Sequence, residues 1–250
     1  MELPPGPWHF NRKHIRLQSL SNHWIKLNSS REDRVGSREL KEYLVKYAPK
    51  KAYMSVMDYL RPQLVGPRRN FKNALPVQGA FVADIDSYMV SIGHDHYLDP
   101  TWVVCVGCLQ KSKAMTLRLC DRILEDYSNI QIVFSGKRGF HVWVMDFDYK
   151  RYVRPNPRDP FKTQASARYK YARTLTEHPW DRAHFILSCD PLRVMTVPNS
   201  LNLETGLVCL RVGSPWVLEN LDMRRLVEKA SPLSKALAEP YPASMIYQMV

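Results

Sequence analysis

Asp84 and Asp86 close FVADID, an apolar run of strand length. Side chains at i and i+2 of a strand share a face, so the two carboxylates point the same way. Two like charges about 4 Å apart repel by roughly 4 kcal/mol at an effective dielectric of about 20, a cost that a bound Mg²⁺ or Mn²⁺ offsets. A solvated strand end has the same sequence, so the chemistry requires a third ligand and a phosphate cradle. The segment FSGKRGFHVWV offers the cradle. Backbone N–H groups in its glycine-containing bend, with Lys137 and Arg138 beside them, can compensate a triphosphate, while Ser135 and His141 can donate to its oxygens. An exposed polar hairpin with a structural histidine fits the same residues. Asp190, which follows the apolar stretch FILSC and precedes Arg193, either supplies the third carboxylate or begins a turn with Pro191. Three carboxylates holding two cations allow one metal to activate a hydroxyl and both to stabilise charge on a transferred phosphoryl group.

Two further groupings carry chemistry. Cys105-x-x-Cys108, with His94 and His96 shortly before it, has ligand spacing for a tetrahedral Zn²⁺, and buried thiols are the alternative. Cys120, Cys189 and Cys209 read as core thiols. The tract from Tyr149 to Arg173 interleaves Lys150, Arg151, Arg154, Arg158, Lys162, Arg168, Lys170 and Arg173 with Tyr152, Phe161, Tyr169 and Tyr171. Cations that neutralise phosphates and rings that stack on unpaired bases make this a candidate single-strand track, or else a solvated helix face over buried tyrosines.

These residues need a scaffold, and the chain has the means to build one. It has 250 residues, 45% hydrophobic and 24% charged, enough to bury a core as one unit, and shows no repeat, low-complexity tract or flexible linker. No apolar run reaches the roughly 18 to 20 residues of a membrane span, the start lacks a secretory apolar region, and five scattered cysteines suit a reducing compartment. An intracellular protein is therefore expected. Thirty-six Lys and Arg against 24 Asp and Glu give a net charge of +12, which makes polyanions the natural partner class.

Periodicity predicts a helix from Ser37, as N-cap, through Tyr47, closed by Pro49. Strands are expected at Lys51 to Met57 and Ala80 to Asp86, followed by a long loop. Met115, Leu119, Ile123 and Tyr127 recur every four residues and predict an amphipathic helix over Lys111 to Tyr127. Ile130 to Phe134 and Phe140 to Phe147 flank the Ser-Gly-Lys-Arg-Gly bend as a hairpin. A helix is expected from Gln164 to Thr176, strands near Phe185 to Ser188 and Leu207 to Val212, and a short helix from Leu221 to Lys229. The segment before Leu27 shows no clear period.

Three ordered motifs, Asp84-Ile-Asp86, Ser135-Gly-Lys-Arg-Gly-x-His141 with Val-Trp-Val after it, and Asp190 eight residues before Pro198-Asn-Ser-Leu, resemble the catalytic small subunit of archaeal and eukaryotic DNA primases, within the primase-polymerase superfamily. The resemblance runs from about Ser29 to Val212. It implies one mixed α/β catalytic domain over residues 1–250, a mixed central sheet flanked by helices, and a small zinc-binding insertion at 91–110 held by Cys105, Cys108, His94 and His96. It implies Asp84, Asp86 and Asp190 as ligands of two Mg²⁺ or Mn²⁺ ions, and Ser135, Arg138 and His141 as triphosphate contacts, with Lys137 where many relatives carry arginine. Arg31 of SREDR resembles an Arg-Glu pair near the active site, and Arg193 a basic position before the Pro-x-Ser-Leu turn. Asn202 and Thr196 depart from the histidine and the basic residue frequent in the family, which points to a rearranged triphosphate grip. The implied activity is nucleotidyl transfer that starts primers on single-stranded DNA from nucleoside triphosphates during replication, beside a large subunit. A gap-filling or translesion polymerase and a non-catalytic nucleic-acid-binding subunit are the rival expectations.

Overall fold

The computed structural model describes residues 10–28, 35–65, 71–86, 104–175 and 189–232. In chain order these residues form β1 (Ile15–Gln18), β2 (Trp24–Leu27), α1 (Ser37–Tyr47), β3 (Lys51–Ser55), β4 (Met57–Tyr59), β5 (Pro76–Gly79) and β6 (Phe81–Asp86). There follow α2 (Val106–Leu124), β7 (Ile130–Phe134), β8 (Gly139–Val144), α3 (Pro160–Leu175), β9 (Val194–Thr196), β10 (Leu201–Asn202), β11 (Leu207–Val208), β12 (Leu210–Gly213), α4 (Pro215–Glu219) and α5 (Met223–Ala230). The class is mixed α/β. Instead of one sheet of mixed direction, the strands form two four-stranded antiparallel sheets, ordered β2-β1-β3-β9 and β12-β7-β8-β6, with two small ribbons, β4-β5 and β10-β11.

Period-two alternation sorts the strand side chains into two cores. Phe81, Ala83, Ile132, Phe134, Phe140, Val142 and Val144 pack against Leu109, Cys120 and Ile123 of α2, Ala167 and Tyr171 of α3, and Leu226 of α5. From the other face of the same sheet, Val82, Val133 and Trp143 pack against Ile15, Leu17, Ala52, Met54 and Met195 of the β2-β1-β3-β9 sheet. The layers are thus helices, sheet, sheet. Asp84, Asp86 and His141 alternate onto the face that meets the second sheet. Among the described residues no helix is long and apolar enough to cross a membrane.

Several boundaries differ from the sequence expectation for local reasons. Ser37 is the first helical residue of α1 and Gly36 is the cap, because the Glu39 carboxylate reaches back to accept the Gly36 N–H at 3.0 Å. Helix α2 begins five residues early, where the Cys105 Sγ accepts the Cys108 N–H at 3.4 Å. Helix α3 begins at Pro160, whose missing N–H costs nothing in a first turn, and the Asp159 Oδ1 accepts the Lys162 N–H at 3.0 Å. Helix α5 begins at Met223 because Asp222 caps it through the Arg224 and Arg225 N–H groups. The expected strand near Phe185 to Ser188 and most of the expected insertion at 91–110 lie outside the described residues.

Buried charge fastens the first layer to the lead-in of β6. Lys13 Nζ lies 2.8 Å from Asp58 Oδ1 and donates to the Val56 carbonyl at 2.8 Å. Arg168, fully buried, donates to the Ala80 and Gly79 carbonyls, and burial pushes its guanidinium down to about 10. Nearby, His14 is buried on β1's approach, and burial, helped by Lys26 and Arg16, pushes its imidazole down to about 3. The folded value lies below the unfolded one, so His14 is neutral in the fold and its contribution to stability is complete above pH about 6.5 and lost progressively below it. Melting curves are expected to show about 2 kcal/mol lost to this group between pH 7 and pH 5. His14→Gln should flatten that segment of the profile; an unchanged slope would count against the assignment.

Candidate active site

Strand register sets the centre of the site. Asp84 lies opposite His141 and Asp86 opposite Gly139 in the β6-β8 ladder. His141 Nε2 stands 3.6 Å from Asp84 Oδ1, within ion-pair reach and beyond a direct hydrogen bond. His141 is buried, and burial pushes its imidazole down against the pull of Asp84. On the other side Arg193 Nη2 donates to Asp84 Oδ2 at 2.9 Å, a charge-assisted bond. Burial and then the neighbouring Asp84 push the Asp86 carboxyl up to about 6, opposed by Arg138, Lys137 and Arg193.

Asp190 and Arg193 share one turn. The Asp190 Oδ1 accepts the Leu192 N–H at 2.8 Å and its carbonyl accepts the Arg193 N–H at 3.1 Å. The turn is fastened to the β3-β4 segment, since the Tyr59 O–H donates to the Pro191 carbonyl at 3.2 Å and the Val56 N–H to the Arg193 carbonyl at 2.9 Å. Asp190 itself is exposed, and its charge acts on Tyr59 and Arg168, whereas the charges acting on Asp86 are Asp84, Arg138, Lys137 and Arg193. The structure therefore brings Asp84, His141 and Arg193 together, with Asp86 two residues along the same strand face, and puts Asp190 at the start of the turn that carries Arg193. Among the described residues no group of three or more His, Cys, Asp or Glu side chains is close enough to hold a metal ion.

The Ser135–Gly139 bend is built around a hydroxyl. Ser135 Oγ accepts the Lys137 and Gly139 N–H groups, each at 3.3 Å, while the Ser135 N–H donates to the Gly139 carbonyl at 2.9 Å. That leaves the Ser135 proton as its one remaining hydrogen-bonding capacity toward a ligand. Gly136 has φ +75°, and a Cβ there would crowd the Leu207 carbonyl oxygen at 3.2 Å. Thr205 Oγ1 closes the bend by donating to the Gly136 carbonyl. Lys137, expected to face a triphosphate, is instead paired with Glu204, which Lys51 also binds; these two hydrogen bonds hold the Glu204 carboxyl at about 2. Sequence reasoning missed Glu204, Thr205, Tyr59 and Lys51, because they reach the site from the β10-β11 turn, β4 and β3 and carry no motif.

Other expected site residues distribute as follows. Arg31, His94 and His96 lie outside the described residues. Cys105 and Cys108 occupy the start of α2, Cys108 buried. Cys120 and Cys209 are core thiols and Cys189 is half-buried. Much of the Tyr149–Arg173 tract is structural: Arg168, Tyr171 and Phe161 are buried, since α3 turns these positions toward the core. Lys150, Arg154, Arg158, Lys162, Lys170 and Arg173 remain exposed, and Tyr169 carries Arg173 against its ring at 5.9 Å.

The donor set suits hard divalent cations. Asp84 and Asp86 are adjacent oxygen donors on one face, and burial followed by the neighbouring Asp84 charge raises Asp86, a cost that such an ion relieves.

No family model matches the chain. A curated DNA primase small subunit PriS of Pyrobaculum calidifontis is 25% identical over 254 aligned residues, covering 85% of this chain and 76% of the relative. Its counterpart from Pyrobaculum arsenaticum is 24% identical, covering 79% and 70%. The DNA primase small subunit PriS of Thermococcus kodakarensis is 32% identical over a shorter stretch, 44% of this chain and 30% of the relative. Among solved structures, the polymerase domain of Mycobacterium tuberculosis Ligase D in complex with DNA superposes with a TM-score of 0.49 at 10% identity, covering 92% of this chain and 86% of that one, too loosely to place residues. By sequence, the chain is a distant relative of the archaeal DNA primase small subunits.

Proposed function

We propose that the chain is a primase-type nucleotidyltransferase that joins nucleoside triphosphates on a single-stranded DNA template. The observation that carries this reading is the paired carboxylates Asp84 and Asp86 facing His141 and Arg193 beside the cationic Ser135–Gly139 bend. Asp84 and Asp86 would hold the divalent cations, with Asp190 contributing from the adjoining turn. Bound there, Mg²⁺ or Mn²⁺ would lower the pKa of the attacking 3′-hydroxyl and stabilise charge on the phosphoryl group and the departing pyrophosphate.

The chain's own side chains divide the remaining work. His141, neutral because it is buried, and Ser135 present donors to the triphosphate, while Arg138 adds positive charge beside Asp86. Arg193 orients Asp84 through its hydrogen bond, a tie that an incoming polyphosphate competes for. Glu204 fixes Lys137 at the rim, so this lysine shapes the bend and contributes less free charge than the sequence suggests. Replication as the setting, a large-subunit partner, and a structural zinc on Cys105 and Cys108 belong to the same reading.

An unprimed single-stranded DNA template with labelled ribo- or deoxyribonucleoside triphosphates and Mg²⁺ or Mn²⁺ tests it. Labelled products of more than one nucleotide are expected. Products only when a primer is supplied would reassign the chain to end extension, and no incorporation under any combination would overturn the reading.

A further inference from the structure

Apart from Lys51, which reaches the bend through Glu204, the outer face of the β2-β1-β3-β9 sheet carries no part of the site above. Ile15, Leu17, Ala52 and Met54 point into the core, so alternation sends Arg16, Gln18, Lys51 and Tyr53 outward, joined by Trp24 and Lys26 of β2. Single exposed apolar residues need no explanation, but this face is organised. Trp24 is 51% exposed, the Arg16 guanidinium lies 5.4 Å from its ring centroid, and the Tyr53 ring centroid is 6.0 Å from it at an interplanar angle of 38°. Arg16 also stands directly opposite Lys26, whose Nζ is held by the Gln63 and Val65 carbonyls. Like charges facing each other across strands repel, and an anion laid over them relieves that cost.

Two physical links run from this face to the Asp84 site. Lys51, two residues before Tyr53 on the same side, binds Glu204, which binds Lys137 of the Ser135–Gly139 bend. Tyr53 lies opposite Thr196 on β9, three residues beyond Arg193, the partner of Asp84. Cations set beside the exposed Trp24 ring and the half-buried Tyr53 ring, along a surface that ends at the bend, match a polyanion with flat, unpaired bases. On the α3 tract only Tyr169 with Arg173 presents such a pair among the described residues, because Arg168, Tyr171 and Phe161 are in the core.

We propose that this sheet face binds single-stranded nucleic acid, with bases stacked on Trp24 and Tyr53 and the phosphate backbone against Arg16, the strand passing over Lys51 toward the Ser135–Gly139 bend. Its role as a template path rests on the function proposed above; its binding chemistry does not.

Fluorescence anisotropy of a labelled fifteen-nucleotide dT or rU oligomer, titrated with the full chain without triphosphates or divalent metal, tests binding independently of catalysis. Trp24→Ala should weaken binding about tenfold and Trp24→Phe should restore most of it, as stacking requires. Arg16→Ala should make the dependence of log K on log salt shallower by about 0.7, the value for one phosphate contact on a single strand. Comparing the two oligomers tells whether DNA or RNA is preferred. Unchanged affinity in Trp24→Ala and Arg16→Ala, or no binding by the unsubstituted chain, would overturn the proposal. Trp24-dependent binding by a chain that incorporates no nucleotide would uphold this surface while removing the proposed catalysis.

Discussion

Replacing Asp84 by alanine is expected to lower nucleotide incorporation by about a thousandfold, the equivalent of roughly 4 kcal/mol of transition-state stabilisation. Asp84 is the hub of the site: Arg193 donates to one of its oxygens at 2.9 Å and His141 approaches the other at 3.6 Å. Its removal takes away half of the oxygen donor pair and leaves the Arg193 guanidinium without its carboxylate. Asp84→Asn separates shape from charge, because the amide oxygen can still accept from Arg193 while the negative charge is gone; a comparable loss is expected. The side chain sits at the partly exposed end of β6, so both variants should melt within about 5 °C of the unsubstituted chain. Near-normal incorporation by either well-folded variant would remove Asp84 from the chemistry.

The legibility of this molecule divides by the range of the interactions. Helix α2 and the β7-β8 hairpin were readable because their signals are local: four-residue apolar recurrence in one case, two β-branched runs around a glycine bend in the other. Asp84, Asp86 and His141 were readable for a related reason, since strand alternation and the bend put them on one face. The hairpin of β1 and β2 was not, because strands of four residues bury too few side chains to show a period, only Ile15 and Leu17 on β1. The helix expected from Gln164 begins instead at Pro160, a first-turn residue, and the regular spacing of Arg168 with tyrosines read as a surface when α3 turns it inward. The Glu204 link to Lys51 and Lys137 spans 153 and 67 residues, and a sequence holds no trace of such a contact without the fold. The same holds for the Trp24, Arg16 and Tyr53 surface, whose members come from three strands.

Gly139→Ala is the largest effect expected from a change that touches no ionisable group. Gly139 lies opposite Asp86, and a Cβ on it would fall 1.7 Å from the Ile85 carbonyl oxygen and 3.1 Å from the Asp86 Cα. The obstructing atom is backbone in the middle of the Asp84-Ile85-Asp86 triplet, so no side chain can rotate to make room and the β6-β8 ladder must open there. Overpacking against a rigid neighbour costs about 3 kcal/mol, which for a chain of this size lowers the melting temperature by roughly 6 to 12 °C. Activity should fall further than that loss implies, because the opening displaces both carboxylates relative to His141, whose partner across the ladder is Asp84. Incorporation measured well below the variant's melting temperature separates the two effects: a folded Gly139→Ala chain should remain at least about a hundredfold impaired, the scale at which an ångström of misplacement acts. Full activity in that folded population would show that the spacing of β6 and β8 does not set the geometry of the reaction.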